Sequence, residues 1–534
     1  MNARRLDAVT AADVAPATAT VTMDEPAPAF LRSLTVRVRC VVAAASGAVL
    51  ACAFAPLQWW PLAILCPAVL MLMWQGLRPR EAAWAGFWFN AGTFAAGTYW
   101  LYISVHIFGA APVYVAAFLM VALVGIMAIY HAALGYAVAR WLPARGGLRW
   151  LFAVPAAWLL VEWWRGWFLS GFSWLSLGYS QTDTWLARIA PVAGVYGISS
   201  ALLVCSGALV GTVLGCRRVR VMSAVVFILP WAAVAALGSR DWTTPSGPPV
   251  SVAVVQGAIP QDQKWLDSNK DTTLNLYQTL TERVLGTQLI VWPESAPADV
   301  DTELIPYITN MYREAHTHGS ALVFGVLRVS DDGEQYYNSV LALDQKMSWY
   351  DKDHLVPFAE FFPVPRFVRS WLRLHSLPYS DFTRGGANQP PLPAAGLMLG
   401  TTVCYEDAYG SSMLDVLRTS DALVNVTNDA WFGHSTARHQ HFQIARMRAI
   451  EAGRYMIRAA NDGISGIIGP HGEVVASAPE FTPYVLVSAV TPRKGRPPYA
   501  YVGNYLVVSL AVLALAGGVW QSFSRRAIRQ AVHP

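Results

Sequence analysis

The sequence predicts two architectures in one chain: an α-helical membrane domain of about eight transmembrane helices and a soluble α/β domain. Of the 534 residues, 54% are hydrophobic and only 14% are charged, and the mean hydropathy of +0.35 is far above that of an ordinary globular domain. Long apolar runs fill residues 36–238 and return at 504–521. Between them, residues 241–500 alternate strand and helix patterns, which is typical of a layered α/β domain.

Each apolar run is a candidate membrane span, because a bilayer requires ~20 apolar residues. The runs cover residues 36–55, 57–76, 83–106, 112–139, 149–165, 190–215, 220–238 and 504–521. Arginine clusters follow every second run, at 78–80, 140–149, 217–220 and 525–529, whereas the short turns at 56–60 and 109–112 contain no Lys or Arg. The positive-inside rule therefore places the arginine clusters in the cytoplasm and residues 241–500 on the external, periplasm-like side.

These patterns divide the chain into four segments. Residues 1–33 are rich in Ala, Thr and Pro without periodicity, so we expect a disordered cytoplasmic leader, with Met23 as an alternative start. A membrane domain with seven spans is expected at 34–240, the α/β domain at 241–500, and a last transmembrane helix with a cytoplasmic tail at 501–534. The α/β domain would lie outside the cytoplasm, where ATP is not available. Its chemistry would therefore use energy stored in a substrate, for example an acyl ester.

The α/β domain is predicted element by element from hydrophobic periodicity. Strands are expected at 250–256, 288–292, 321–329, 339–343, 347–350, 396–403, 422–426, 455–460, 464–468 and 484–490. Helices are expected at 269–285, 302–316, 411–417 and 437–452. No internal repeat is apparent.

Cys404 is the residue around which the candidate chemistry is organised. The other five cysteines lie in apolar runs, so Cys404 has no disulfide partner within the α/β domain. It lies between a predicted strand and a predicted helix, where N–H groups and the helix dipole would favour the nucleophilic thiolate. The competing interpretation is a small buried core thiol. A metal site is not expected, because His434, His439 and His441 lack a zinc-type motif.

Two charged residues elsewhere in the domain are also candidates for chemistry. Glu294 follows the strand 288–292 within Trp-Pro-Glu, at the strand end where open α/β sheets usually build their sites. Lys352 lies between Asp351 and Asp353 and precedes an apolar run. Taken singly, Glu294 would be a solvated acid at a strand end and Lys352 a surface lysine paired with a neighbouring aspartate.

Three motifs in this order carry a family resemblance. They are Trp-Pro-Glu at Glu294, Tyr-x-Lys-x-His-Leu-Val-Pro-Phe at Lys352 and Cys-Tyr-Glu at Cys404, and together they resemble the Glu-Lys-Cys triad of the nitrilase (carbon–nitrogen hydrolase) superfamily. With the multi-span first half and the single C-terminal span, the chain is similar to the apolipoprotein N-acyltransferase family over nearly its full length past the leader. The resemblance implies a nitrilase-like α-β-β-α sandwich. It also implies that Glu294 is the general base, Cys404 the nucleophile and Lys352 the cation that stabilises the oxyanion.

The resemblance further implies supporting residues. Glu360 and Glu406 would hold the lysine and the cysteine loop, Trp265 would lie near the acyl site, and Tyr405 and Asn338 would line the pocket. The chain departs from the family pattern at two loop positions. Ser173 stands where the family commonly has proline, and Ala359 stands where it commonly has glycine.

Two segments favour contact with lipid. Residues 358–375 form an arm that includes a predicted basic amphipathic helix at 365–375, which suits a lipid-facing lid or, alternatively, packing on the membrane domain. The loop at 165–179 is dense in aromatic residues, as in the headgroup layer of a bilayer. Within the fifth span, Glu162 is costly in hydrocarbon, and we expect Arg165 to be its partner.

The resemblance implies an N-acyltransferase of lipoprotein biosynthesis in the bacterial inner membrane, with a periplasmic catalytic domain. We also expect a monomer without a cofactor, and no nucleic-acid partner, because the net charge of +5 comes largely from the arginine clusters. A phospholipid would donate an acyl chain to Cys404. The thioester would then pass to the α-amine of the N-terminal diacylglyceryl-cysteine of an apolipoprotein, with ping-pong kinetics. One alternative is a membrane-tethered nitrilase-type amidohydrolase, in which water accepts the acyl group. The other is a non-enzymatic scaffold or transporter, which the scarcity of intramembrane charge disfavours.

Overall fold

The computed structural model describes residues 29–142, 149–238, 240–357, 359–361 and 382–532. Most of the predicted leader lies outside the described residues, and its last five residues, Ala29–Ser33, form a short helix rather than a disordered segment. The predicted basic helix at 365–375 and most of the arm at 358–375 also lie outside the described residues.

Helices occupy every position where the sequence predicts a membrane span. They cover Val36–Leu50, Leu62–Met73, Pro79–Gly97, Val113–Trp141, Val154–Arg165, Ala190–Leu214, Arg217–Leu237 and Tyr505–Val532. Shorter helical segments connect them at Ala51–Ala53, Trp100–Ile103, Ser104–Phe108, Arg149–Ala153, Phe168–Ser170, Leu177–Gln181 and Trp185–Ile189. One apolar core joins several of these helices. It includes residues of Val36–Leu50, Leu62–Met73, Pro79–Gly97, Val113–Trp141 and Ala190–Leu214.

Five of these helical segments in the described part of the chain are long and apolar enough to cross a membrane: Val36–Ala53, Val113–Trp141, Trp185–Leu214, Arg217–Leu237 and Tyr505–Ser524. The other three predicted spans form shorter or more polar helices. Leu62–Met73 and Val154–Arg165 have 12 residues each, and a helix of that length is only ~18 Å long, whereas the hydrocarbon core is ~30 Å thick. Pro79–Gly97 contains Arg80 and Glu81 in its first turn. The structure therefore establishes an apolar helical half, and the predicted count of eight spans goes beyond what helix length and composition support.

The α/β domain is built from two six-stranded sheets. The strands are β1 (Thr244–Pro245), β2 (Val250–Gln256), β3 (Leu289–Val291), β4 (Ala321–Val329), β5 (Tyr336–Leu343), β6 (Met347–Asp351), β7 (Leu392–Ala394), β8 (Leu397–Val403), β9 (Ala422–Thr427), β10 (Met456–Ala460), β11 (Gly466–Ile468), β12 (Val474–Ser477), β13 (Tyr484–Val490) and β14 (Arg493–Lys494). The first sheet has the order β13-β2-β3-β4-β5-β6 and the second has the order β12-β11-β10-β9-β8-β7, while β1 and β14 form a small separate pair. The central strands β2, β3 and β4 are parallel, as are β8, β9 and β10.

The helices lie outside the two sheets. Residues Gln261–Lys264, Lys270–Glu282, Ile305–Thr317, Ala437–Ala452 and Tyr499–Val502 form α-helices in this domain. One apolar core, which includes Val254 and Val403, fills the space between the sheets. A second core joins the first sheet to Lys270–Glu282 and Ile305–Thr317, and a third joins the second sheet to Ala437–Ala452. The order of layers is helix, sheet, sheet, helix, which is the sandwich that the resemblance implied.

The predicted helix at 411–417 is the main error in this domain. The segment after Cys404 instead forms three short 3-10 turns, Cys404–Ala408, Gly410–Met413 and Val416–Arg418. One local and one distant contact hold this segment: the N–H of Val403 donates to the side chain of Glu406, and Arg454 donates to the carbonyl of Leu417. Hydrophobic spacing alone could not reveal these partners.

The helix Ala437–Ala452 joins the sandwich to the membrane half. Its side chains are buried at every position except His439 and Arg446. The Gln440 side chain accepts a hydrogen bond from the Trp174 indole (2.6 Å), and the Glu451 carboxylate accepts one from the backbone N–H of Val195 (2.7 Å). One face of this helix therefore completes the sandwich and the other face packs on the membrane helices.

Candidate active site

The three residues of the predicted triad each follow the C-terminal end of a strand. Glu294 follows β3, Lys352 follows β6 and Cys404 follows β8. The first two belong to one sheet and the third belongs to the other, so the site lies at one end of the sandwich. The side chains of Glu294 and Lys352 are buried, and that of Cys404 is partly buried.

A lysine and two carboxylates form the first part of the site. The Nζ atom of Lys352 lies 2.9 Å from Oε1 of Glu360 and 3.8 Å from Oε1 of Glu294. The amide of Asn338 donates to both carboxylates, at 2.7 Å to Glu294 and 2.9 Å to Glu360. Asn338 therefore connects the two acids and Glu360 pairs with the lysine, while the supporting roles expected of both residues stay predictions.

The charge of Lys352 is stabilised by this arrangement. Burial alone would lower the pKa of the Lys352 ammonium, but the carboxylates of Glu360 and Glu294 outweigh burial and hold that pKa well above its usual value. Lys352 is only 1% exposed, so its charge acts in a site where water screens little. The lysine is a fixed cation at neutral pH.

Cys404 adopts a backbone conformation that is rare for a residue with a side chain. Its φ is +52°, in the left-handed region, at the point where β8 ends and the 3-10 turn begins. Such strain persists only where the surroundings enforce it, and it is common at functional sites. The conformation separates the Cys404 side chain from the line of the strand.

The electrostatics of Cys404 differ from the sequence expectation. Burial raises the pKa of the Cys404 thiol, and the Glu294 carboxylate raises it further, while the Lys352 charge opposes both. The expected helix dipole is missing, because the predicted helix at 411–417 is not formed. Cys404 is therefore a protonated thiol at neutral pH, and it requires a base to become a nucleophile.

Glu406 connects the cysteine turn to the segment that carries Lys352. Its carboxylate accepts hydrogen bonds from the backbone N–H groups of Val403 (2.8 Å), Asp353 (2.8 Å) and His354 (2.9 Å), and from the hydroxyl of Tyr350 (3.0 Å). Burial raises the pKa of Glu406 to about 7, against these N–H groups and the Lys352 charge, which favour its ionised form. This carboxylate fixes the distance between the ends of β6 and β8.

Lys264 is a second buried cation at the site, and the sequence analysis gave it no role. It is 2% exposed, and its Nζ donates to the backbone carbonyl of Glu294 at 3.0 Å. Burial lowers the pKa of Lys264 to about 8, although the charges of Glu294 and Cys404 favour its cationic form. The neighbouring Trp265 is 46% exposed, and its ring lies 6.0 Å from the Lys264 ammonium. The available signal was a lysine beside an aromatic residue in a segment that already resembled a family loop.

In the described residues, no group of three or more His, Cys, Asp or Glu side chains could hold a metal ion. The arrangement instead offers a thiol, a carboxylate and a fixed cation. A thiol with an adjacent base and cation can attack a carbonyl carbon and stabilise the oxyanion that forms there.

Both halves of the chain match known protein families. Residues 46–208 match the family model of the apolipoprotein N-acyltransferase N-terminal domain, and residues 251–497 match that of carbon-nitrogen hydrolase. A protein named apolipoprotein N-acyltransferase from Methylococcus capsulatus is 41% identical over 91% of this chain and 96% of its own length. Proteins of the same name from Chromobacterium violaceum and Vibrio cholerae are 39% and 38% identical, over 93% and 89% of this chain and 97% and 96% of their own lengths.

The chain belongs to the apolipoprotein N-acyltransferase family.

In this member of the apolipoprotein N-acyltransferase family, the membrane half contacts the cysteine turn directly. We call residues 166–179 the aromatic loop. The Ser173 hydroxyl donates to the carbonyl of Ala408 at 3.0 Å, and the Tyr405 hydroxyl donates to the carbonyl of Gly171 at 3.0 Å. The hydroxyl of Tyr409 contacts the Tyr405 hydroxyl and shares its one proton between the carbonyls of Ser170 (2.9 Å) and Gly171 (3.0 Å). The Tyr405 hydroxyl thus contacts the aromatic loop, and the expected place of this side chain in the pocket lining stays a prediction.

Two charged residues of the helix Val154–Arg165 hold the aromatic loop in place. Arg165 donates to the carbonyls of Phe172 (2.6 Å) and Trp174 (2.7 Å). Glu162 accepts from the backbone N–H of Leu177 (3.3 Å) and from the Ser199 hydroxyl. Glu162 and Arg165 therefore make no direct contact, because each side chain satisfies other groups, but their opposite charges attract each other as the expected partnership requires.

Proposed function

We propose that this chain transfers an acyl chain from a membrane phospholipid, through a thioester on Cys404, to the α-amine of the N-terminal diacylglyceryl-cysteine of apolipoproteins. The observation that carries the proposal is the buried Lys352 ammonium 3.8 Å from the Glu294 carboxylate, with both charges acting on the Cys404 thiol, in a chain that matches an apolipoprotein N-acyltransferase over 91% of its length. Catalysis would rest on Glu294, Lys352 and Cys404. Glu360, Glu406, Asn338, Tyr405 and Trp265 would support them.

In the first half-reaction, Glu294 takes the proton of the Cys404 thiol as the sulfur attacks the ester carbonyl of a phospholipid. The carbonyl oxygen becomes an oxyanion, which the Lys352 cation and backbone N–H groups of the cysteine turn stabilise. Collapse of the tetrahedral intermediate breaks the ester C–O bond. The departing lysophospholipid oxygen takes the proton from Glu294, and Cys404 retains the acyl group as a thioester.

In the second half-reaction, the free α-amine of the apolipoprotein attacks the thioester carbonyl. Glu294 takes a proton from the attacking nitrogen and returns it to the sulfur as the C–S bond breaks. The products are an amide and the restored thiol. Because the lysophospholipid leaves before the apolipoprotein reacts, the scheme requires ping-pong kinetics.

The proposal includes a place in the cell. The arginine clusters that follow alternate helices support a multi-span protein of the bacterial inner membrane with the sandwich on the periplasmic side. We retain eight spans, with domain limits at 34–240, 241–500 and 501–534, and a monomer as the working unit. In that compartment an acyl ester supplies the free energy for amide formation without ATP.

The test uses the full-length chain in detergent with a phospholipid labelled in one acyl chain. The acceptor is a synthetic diacylglyceryl-cysteine peptide with a free α-amine, and the matched control peptide has an acetylated α-amine. We expect label in amide linkage on the first peptide only, with parallel lines in double-reciprocal plots. Labelled fatty acid released at the same steady rate with either peptide would indicate an amidohydrolase-like enzyme and would contradict the proposal.

A further inference from the structure

A cluster of four charged side chains lies beneath the cysteine turn and has no part in the chemistry described above. We call Asp407, Asp429, His441 and Arg458 the buried tetrad. Each is 0 or 1% exposed. The two ring nitrogens of His441 lie 2.8 Å from Asp429 and 3.1 Å from Asp407, and Arg458 lies 2.9 Å and 3.3 Å from the same two carboxylates.

The charges of the buried tetrad cancel. Burial and the Arg458 charge would lower the pKa of His441, but the carboxylates of Asp407 and Asp429 raise that pKa to about 9. Burial would raise the pKa of Asp429, but His441 and Arg458 lower it to about 2. His441 is therefore an imidazolium that donates from both nitrogens at neutral pH. Burying four charges is costly unless each is paired, so the arrangement is unusual for a group with a purely space-filling role.

The buried tetrad reaches the nucleophile through a backbone carbonyl. The Nε2 atom of His441 lies 3.3 Å from the carbonyl oxygen of Cys404, and the amide of Asn425 donates to the same oxygen at 3.0 Å. Arg458 in turn donates to Asn425 at 2.7 Å and so fixes which way the amide faces. Two side chains, both oriented by the buried tetrad, determine the direction of the Cys404 carbonyl.

The direction of this carbonyl sets the direction of an N–H group. The peptide between Cys404 and Tyr405 is planar, so in the trans form its N–H points opposite to its C=O. Because Tyr405 lies in the first turn of the segment Cys404–Ala408, its N–H has no intrahelical carbonyl to bond. The carbonyl faces the buried tetrad, and the N–H therefore faces away from it.

We propose that His441 and Asn425 are positioning residues that orient the Tyr405 N–H as an oxyanion donor by binding the other side of the same peptide. The inference rests on the proposed acyl transfer. The buried tetrad keeps the carbonyl of a strained, left-handed residue in one orientation, and the N–H then meets the oxyanion without reorganisation.

The test separates attack on a carbonyl from attack on a saturated carbon. His441→Asn retains a donor toward Asp429 but removes the Nε2 donor, which Asp407 (3.1 Å) and the Cys404 carbonyl (3.3 Å) share. The rate of Cys404 acylation by a phospholipid is measured in single turnover, and the rate of Cys404 alkylation by iodoacetamide is measured at the same pH. Only acylation forms an oxyanion. A change in the acidity or the accessibility of the thiol would alter the acylation rate and the alkylation rate together. His439→Asn, two residues away on the same helix, is the matched control.

We expect the ratio of acylation to alkylation to fall at least tenfold in His441→Asn, since loss of a whole oxyanion donor costs ~10²–10³ in rate. Asn425→Ala should lower the same ratio, and His439→Asn should leave it unchanged. Equal losses in both rates, or an unchanged ratio in His441→Asn and Asn425→Ala, would overturn the inference. The proposed function would still stand in that case, because the wild-type protein would still be acylated. Absence of acylation in the wild-type protein would instead overturn the proposed function itself.

Discussion

The two parts of the active site are held together by different kinds of contact. Lys352 and its partners Glu294, Glu360 and Asn338 all belong to the sandwich, and their contacts are ionic or charge-assisted hydrogen bonds. The turn after Cys404 also has charged partners in the sandwich, Glu406 and His441, but in addition the aromatic loop of the membrane half contacts it through neutral hydrogen bonds of hydroxyl groups to carbonyls. The base and cation are thus complete within the sandwich, whereas the nucleophile turn is completed by the membrane half.

This difference gives the membrane half a direct contact with the candidate active site. A sandwich alone could form the lysine cluster, but it would lack the partners of Ala408, Tyr405 and Tyr409. In a lipid-modifying enzyme, the cysteine turn would then reach its reactive geometry only when the membrane half is folded around it. The two kinds of contact also differ in the free energy that each contributes. Removing one partner of a buried ion pair costs ~3–5 kcal/mol, whereas a neutral hydrogen bond contributes ~1 kcal/mol.

The largest effect is expected from the lysine. Lys352→Met removes the oxyanion-stabilising cation and leaves Glu294 and Glu360 as two neighbouring buried carboxylates without their shared cation. We expect acyl transfer to fall by ~10³ or more, measured as label transferred to a diacylglyceryl peptide. Lys346→Met is the matched control, because Lys346 is exposed in the turn before β6 and should retain full activity. A loss of less than tenfold for Lys352→Met would show that the cation does not act in the reaction.

A smaller effect with a defined pH dependence is expected from Glu360→Gln. Glu360 is the main carboxylate that raises the pKa of Lys352, so the wild-type lysine stays charged until the pH exceeds that raised value. Without Glu360 the pKa of Lys352 falls, and the charge is lost at a lower pH. We expect activity near neutral pH to fall roughly tenfold, and the alkaline limb of the pH profile to move to lower pH. An alkaline limb that does not move would contradict the role given to Glu360.

The smallest effect is expected at the membrane side of the site. Tyr409→Phe removes the hydrogen bonds to Ser170 and Gly171 but retains the ring, which stacks on His354 at a centroid distance of 3.7 Å. We expect acylation of Cys404 to slow about fivefold, which corresponds to ~1 kcal/mol. Tyr501→Phe, at an exposed tyrosine, is the control. A loss as large as that of Lys352→Met would contradict the small contribution assigned to these neutral hydrogen bonds.

Regular elements with strong periodicity could be predicted from the sequence. The predicted limits of β2, β4, β13 and the helix Ala437–Ala452 agree with the structure at both ends. In each, alternation or a long uninterrupted helical pattern specifies the element locally. The short strands β7 and β12 were missed, because runs of three or four residues carry too little pattern.

The site was predictable where a motif identified it and not where distant contacts determine it. Glu294, Lys352 and Cys404 could be predicted as candidates because each lies in a recognisable motif at a strand end. His441 was considered only as a metal ligand, and the two aspartates of the buried tetrad were not considered. The neglected signal was Arg458, a charged residue inside the apolar strand β10, because a fully buried arginine requires carboxylate partners. The raised pKa of Cys404 depends on burial, which no local pattern reports.

The central claim is that Cys404 carries the acyl group. The direct measurement is incubation of the full-length protein with a phospholipid labelled in its acyl chain, without acceptor, followed by mapping of the hydroxylamine-sensitive label by mass spectrometry. We predict a thioester on Cys404 that forms in the wild-type protein and in Cys216→Ala, is absent in Cys404→Ala, and disappears when a diacylglyceryl peptide is added. Label on another residue, or continued acyl transfer by Cys404→Ala, would contradict the account.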